Sequence, residues 1–139
     1  MGVLGSAYLF TKEISLPYFL PALSCGFFSI AVLNINNIRD IDSDRKAGKF
    51  SIPVRIGREK ASHYHWVLLI GGILCAVVFV LMNYKSPMQF LFMLATPLLV
   101  VNGKKVSSLP SEQLDPMLKQ MALSTLLFVT LFGIGNLLP

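Results

Sequence analysis

The chain has 139 residues, of which 54% are hydrophobic and 14% charged, with a mean hydropathy of +0.65; soluble domains carry about 25% charged residues, so this composition suits lipid as solvent rather than water. The formal charge of +5 and a pI of about 9.4 would fit a nucleic-acid binder, but the basic residues cluster between apolar runs, as membrane-flanking charges do, which excludes nucleic acid as the partner. Cys25 and Cys75 each lie inside an apolar run, which excludes a disulfide scaffold or a thiolate metal site and leaves two free, packed thiols.

The N-terminus shows neither the charged leader nor a clear cleavage site of a secretory signal. Met1-Gly2 with Ser6 fits the loose myristoylation pattern, but Gly2 to Phe10 is apolar and reads better as the tail of a membrane helix, which implies that the chain is part of something longer. A span needs about 20 mainly apolar residues, and four stretches supply them, near 16–37, 62–82, 87–102 and 119–138. In the first, Pro17 is tolerable in an opening turn and Pro21 less so, while Ser24, Cys25 and Ser29 are the small, weakly polar residues that helix interfaces use in lipid. The second carries Tyr64 and Trp66 at one end and Tyr84 just past the other, an aromatic belt, with Gly71-Gly72 as the place for a close helix contact. The third, Met88 to Val101, is short and holds Pro97, which predicts a kink. The fourth is Met121 to Leu138. The fold class is all-α, a polytopic transmembrane helical bundle of about four spans.

Four spans alternate sides, so the segments 39–60 and 102–119 share one face of the membrane. Ten of the twelve basic residues fall there, only Lys12 and Lys85 elsewhere. Under the positive-inside rule that face is cytoplasmic and the chain sits, multi-pass, in the plasma (inner) membrane.

Most of the remaining charge is concentrated in the loop 38–60, which follows the first span. As a helix continuing out of the membrane at about 100° per residue, it places Asn36, Asp40 and Asp44 at steps of four on one face. Asp42 points the other way, within reach of Arg39 and Lys46, in a pairing that reads as structural. Two carboxylates and an amide one turn apart suit a hard cation with oxygen ligands, Mg²⁺ in particular, which leaves the rest of its shell to water and phosphate oxygens. Arg45, Lys46, Lys49, Arg55 and Arg58 follow at once, as partners for a phosphorylated ligand.

Blander readings are weaker. A loop whose charges only set topology need not align them on one face. A calcium loop starting at Asp40 fails at its sixth position, where Arg45 replaces the Gly, and at its twelfth, where Ser51 replaces the Glu. His63 and His65 read as interfacial packing, and Glu112 and Asp115 as a solvated turn. No phosphate-binding loop, nucleophile elbow or paired-histidine zinc motif is present.

The run Asn34-Ile-Asn36-Asn37-Ile-Arg39-Asp40-Ile-Asp42-Ser-Asp44-Arg45-Lys46-Ala-Gly48-Lys49, followed by Val54-Arg55-Ile56-Gly57, resembles the UbiA family of intramembrane aromatic prenyltransferases, and the likeness extends over the span spacing. The resemblance implies a nine-helix bundle around a cavity, with two Asp-rich motifs at the cytoplasmic mouth that bind Mg²⁺ and the diphosphate of a polyprenyl donor. The second motif, Asp-x-x-x-Asp, falls on Asp40 and Asp44, the implied catalytic residues, with Asn36 joining them as metal ligand. Arg45, Lys46, Lys49 and Arg55 are the implied diphosphate contacts. The implied reaction transfers the polyprenyl group to 1,4-dihydroxy-2-naphthoate with loss of carbon dioxide and diphosphate, giving demethylmenaquinone. Another acceptor such as 4-hydroxybenzoate, or a non-enzymatic membrane module, are the rivals. The first Asp-rich motif is absent, since Asp115 is the only further aspartate. The chain is therefore expected to be the C-terminal half of the fold, inactive without the missing N-terminal half.

Overall fold

The computed structural model describes residues 18–138; the expected helix tail at Gly2 to Phe10, the myristoylation pattern and the first residues of the first span lie outside them. Six α-helices follow in order: α1 (Phe19–Arg39), α2 (Ile41–Lys46), α3 (Ile52–Ile56), α4 (Arg58–Met82), α5 (Thr96–Ser108) and α6 (Asp115–Leu137), with a 3₁₀ helix at Pro87–Ala95 running into α5 and a short one at Ser111–Gln113. No strand occurs among the described residues. Four helical stretches are long and apolar enough to cross a membrane: Phe19–Arg39, Arg58–Met82, Pro87–Ser108 and Asp115–Leu137. Between 22% and 33% of each apolar window is buried within the chain, so most of the apolar surface points outward, as it must in a bundle whose solvent is lipid. This is the architecture of a multi-pass membrane protein.

The third span shows how proline is accommodated. Pro97 has no N–H to give residue 93, and its ring would clash with that carbonyl in a continuous α-helix. The chain winds as 3₁₀ up to Ala95 and becomes α-helical at Thr96, which leaves Pro97 in the first turn of α5, where its missing donor costs nothing. The expected kink is thus a change of winding. Ser86 opens the 3₁₀ stretch by accepting from the Met88 N–H while Gln89 reaches back to the Ser86 N–H.

Small residues set the helix distances. The α1 and α4 helices run antiparallel, and at Gly72 a Cβ would lie 2.6 Å from the ring of Phe28; the Ser24 hydroxyl donates to the Gly72 carbonyl at 2.7 Å. Phe28 in turn meets Phe128 of α6 edge-on, centroids 4.8 Å apart, and Phe128 meets Phe92 at 5.0 Å. This aromatic column is the core where α1, α6 and the 3₁₀ stretch converge. Two turns further along the same face of α6, a Cβ on Gly135 would collide with the Met88 carbonyl oxygen of the 3₁₀ stretch, whereas nothing lies within 4 Å of one on Gly133. Backbone cannot rotate aside as a side chain does. Gly135→Ala is expected to cost about 1–3 kcal/mol by forcing α6 off the 3₁₀ stretch, and Gly133→Ala to be neutral or stabilising by up to about 1 kcal/mol. Thermal unfolding of the two variants in lipid nanodiscs, followed by circular dichroism, checks the contrast.

At the end of the bundle that carries the Asp-rich segment, polar side chains join all four spans in a ring. Asn34 of α1 donates to the Ala61 carbonyl of α4 at 3.0 Å. His65 of α4 is fully buried and bonds the Asn102 Oδ1 of α5 at 3.1 Å. The Asn102 amide nitrogen donates to the Met117 carbonyl at 3.0 Å and to Gln120 Oε1 at 2.7 Å, both on α6. Arg39 at the end of α1 closes the ring on Asp115, the first residue of α6, at 2.5 Å. Because both Asn102 amide protons are spent, its Oδ1 is an acceptor and His65 must donate from Nε2. Nδ1 is then the bare nitrogen, buried without a partner among the described residues. His65 is therefore a pillar of the helix interface and not interfacial packing.

Candidate functional site

The oxygen-rich face is made by a helix that bends without losing its ladder. Asp40 leaves helical geometry, at φ −92° and ψ 11°, yet its N–H bonds the Asn36 carbonyl at 3.0 Å and its own carbonyl accepts from the Asp44 N–H at 2.8 Å. Asn36, Asp40 and Asp44 thus remain one turn apart across the junction of α1 and α2. The α2 helix is then stopped by Gly48, whose φ of +70° suits glycine. The Lys49 N–H returns to the Asp44 carbonyl at 2.9 Å and the Gly48 N–H to Arg45 at 3.2 Å, the hydrogen-bond pair of a left-handed helix cap. That reversal brings Lys49 Nζ to 3.2 Å from Asp44 Oδ1.

Arg39 organises the other carboxylate. Its Nε donates to Asp40 Oδ1 at 2.8 Å and its Nη2 to Asp40 Oδ2 at 2.9 Å, a side-on fork. The same Nη2 reaches Asn36 Oδ1 at 2.9 Å, and Nη1 reaches Asp115. The expected pairing of Arg39 with Asp42 does not form: Asp42 is exposed and makes no ion pair among the described residues, because the guanidinium folds toward Asp40 and Asp115 instead. The Arg39 hydrogen bonds, partly opposed by desolvation, hold the Asp40 carboxyl below the usual carboxylate range, so it is ionised at neutral pH.

The structure thus joins Asn36 and Asp40 through Arg39, and Asp44 to Lys49 one turn further along. Arg45, Lys46 and Arg55 are exposed at the same end of the bundle, and Lys46 belongs to the other flank of α2, where Arg39, Asp42, Ser43 and Lys46 line a cleft facing Ser111 and Glu112. Arg58 is not available to a ligand in the way its sequence position suggests. It donates to Ser111 Oγ at 2.7 Å and to the Leu109 carbonyl, and so ties the α5–α6 connection down. Asp115, expected to be a solvated turn, is the partner of Arg39. Intramembrane polar residues such as Asn102 and Gln120 carried a signal that sequence reading passed over, since amides inside apolar spans need partners.

Among the described residues no group of three carboxylates, imidazoles or thiols comes together. The donors fit a hard divalent cation nonetheless. All are oxygens, and Asp44 Oδ2 is buried with no hydrogen-bond partner among the described residues, an anionic acceptor that a cation would satisfy. A shell begun by two carboxylates and an amide must be finished by ligands from outside this segment.

The model of the UbiA prenyltransferase family matches residues 1–126. The chain belongs to this family. Its UbiA-family relatives include a 1,4-dihydroxy-2-naphthoate octaprenyltransferase of Haemophilus influenzae, 44% identical over 99% of the chain, and a protein of the same name from Escherichia coli, 40% identical over 97%. A third, again of that name, from Mycobacterium tuberculosis is 31% identical over 92%. The chain spans 45%, 44% and 43% of the lengths of these three relatives. No solved structure matches it. UbiA prenyltransferases generally use a divalent metal.

Proposed function

We propose that this chain is the C-terminal part of an inner-membrane 1,4-dihydroxy-2-naphthoate polyprenyltransferase, with its Asp-rich segment in the cytoplasm, and that it works only together with an N-terminal part carrying the first Asp-rich motif. The observation that carries the reading is the likeness to the naphthoate enzymes over nearly the whole chain, joined to an oxygen-rich face with a buried, unpartnered carboxylate oxygen.

Asn36, Asp40 and Asp44 are the residues that would hold Mg²⁺, which when bound supplies positive charge to a leaving diphosphate. Lys49 takes up phosphate charge first, since it already stands over Asp44, with the exposed Arg45 and Arg55 after it, while Lys46, on the other flank of α2, is the weakest candidate of the four. The allylic C–O bond breaks as the electron-rich naphthoate ring forms a C–C bond to the prenyl carbon. Carbon dioxide leaves the attacked position, diphosphate departs from the donor, and the product is the quinol form of demethylmenaquinone. The apolar walls of the spans exclude water from the allylic cation and accommodate the isoprenoid tail.

The test uses membranes containing this chain alone or co-expressed with the N-terminal part of the Haemophilus influenzae relative, each given labelled polyprenyl diphosphate, 1,4-dihydroxy-2-naphthoate and Mg²⁺. Prenylated product only with both parts is the expected result. Turnover by the chain alone would refute the requirement for a second part. No product, with both parts confirmed in the membrane, would move the reading to another acceptor such as 4-hydroxybenzoate, and after that to a non-enzymatic membrane module.

A further inference from the structure

Arg39 has two anionic partners on two different spans. The edge of its guanidinium formed by Nε and Nη2 is committed to Asp40 and Asn36, the residues assigned above to a cation, while Nη1 is held by Asp115 of α6. A cation and a guanidinium compete for the same carboxylate lone pairs, so Arg39 must give up part of its hold when a cation binds Asp40. Asp115 is where that positive charge can go. It lies 76 residues further along the chain, and its side chain is 69% exposed, so it can follow the guanidinium at little desolvation cost.

We infer that Asp115 is a positioning residue for the cation site: by sharing Arg39 with Asp40, it sets how readily Asp40 is released to a divalent ion. This rests on the reading of Asn36, Asp40 and Asp44 as cation ligands. It also gives the α5–α6 connection a part in the site, because the first residue of α6 would register whether the Asp-rich segment is loaded.

The experiment is a Mn²⁺ titration, in lipid nanodiscs, of the full chain assembled with the N-terminal part of the Haemophilus influenzae relative, with free Mn²⁺ followed by electron paramagnetic resonance. The variants are Asp115→Asn, Asp115→Glu, Asp40→Asn and Asp42→Asn. Asp42→Asn removes the same charge at an exposed position that does not touch Arg39, and so measures the effect of net charge alone. Asp115→Asn is expected to weaken Mn²⁺ binding about two- to fivefold beyond Asp42→Asn, the range of an exposed ion pair. Asp115→Glu should restore most of it, and in the Asp40→Asn background Asp115→Asn should have no further effect. Equal effects of Asp115→Asn and Asp42→Asn, with wild-type binding that depends on Asp40, would overturn the inference and leave the cation site standing. Wild-type binding that is absent, or indifferent to Asp40→Asn, would overturn the cation site itself and the role of Asp115 with it. Circular dichroism of each variant identifies any loss that is merely unfolding.

Discussion

Asp40→Asn in the assembled two-part protein is expected to lower prenyl transfer by about 100-fold, with the protein still folded in the membrane, whereas Asp42→Asn leaves the rate within about twofold. The two aspartates are two residues apart, and helical spacing already turns Asp42 away from the face of Asn36, Asp40 and Asp44. The backbone separates them. Hydrogen bonds from Asp40 to Asn36 and from Asp44 to Asp40 keep those three on one turn-by-turn row, and Asp42 stands exposed on the other flank beside Ser43 and Lys46. Asparagine keeps the shape of the side chain and leaves the Asp40 N–H on Asn36 undisturbed, so the helix junction should survive. What it removes is the charge, and its amide turns two donors toward an arginine that already donates. Rates from labelled donor, with each variant's membrane content quantified by immunoblot, decide the matter. Equal losses for Asp40→Asn and Asp42→Asn would mean that the segment acts through its net charge and not through one face.

The comparison of these two positions also shows what the sequence contained. Steps of four from Asn36 to Asp44 were legible because helical periodicity survives a local bend, provided that the backbone hydrogen bonds do. The four spans were legible for the reason that lipid leaves the backbone no alternative to a helix. The close contact at Gly71-Gly72 was legible from residue size, and the ring of Phe28 fills it. The partner of Arg39 was not. Local spacing favoured Asp42, three residues away, but Asp40 next to it and Asp115 on a distant span won, because a side chain at a helix end is free of the helical face rule and can fold over its own terminus. Arg58 differs from expectation for a related reason: its charge suggests phosphate, while the unpaired carbonyls at the end of α5 offer it a nearer partner. His65 needed knowledge of which amide it would meet across a helix interface, and no local pattern supplies that.

The largest expected loss of stability comes from Asn102, the joint where α4, α5 and α6 meet. Asn102→Leu preserves volume and favours an apolar span, so transfer to lipid alone would make it harmless. Its three hydrogen bonds reverse the sign. Without the amide, the His65 Nε2–H and Gln120 Oε1 both lose partners inside the bundle, and Nδ1 of the same imidazole is already unpartnered among the described residues. A buried polar group stripped of its partner costs about 1–3 kcal/mol, so two of them set an expected loss of about 2–6 kcal/mol, reduced if the helices shift to admit water. The double variant His65→Leu with Asn102→Leu should recover much of it, since an apolar pair leaves only the Gln120 oxygen to satisfy, and that oxygen can turn toward the headgroup region. Nitrogen-15 spectra of labelled histidine supply an independent reading: the wild type should show His65 protonated at Nε2, and Asn102→Leu should free the ring to adopt either tautomer. A wild-type ring protonated at Nδ1 would leave Nε2 facing the Asn102 oxygen without a proton, since the Met117 and Leu98 carbonyls that end the chain of amides can only accept, and it would remove the reason for expecting Asn102→Leu to be so costly.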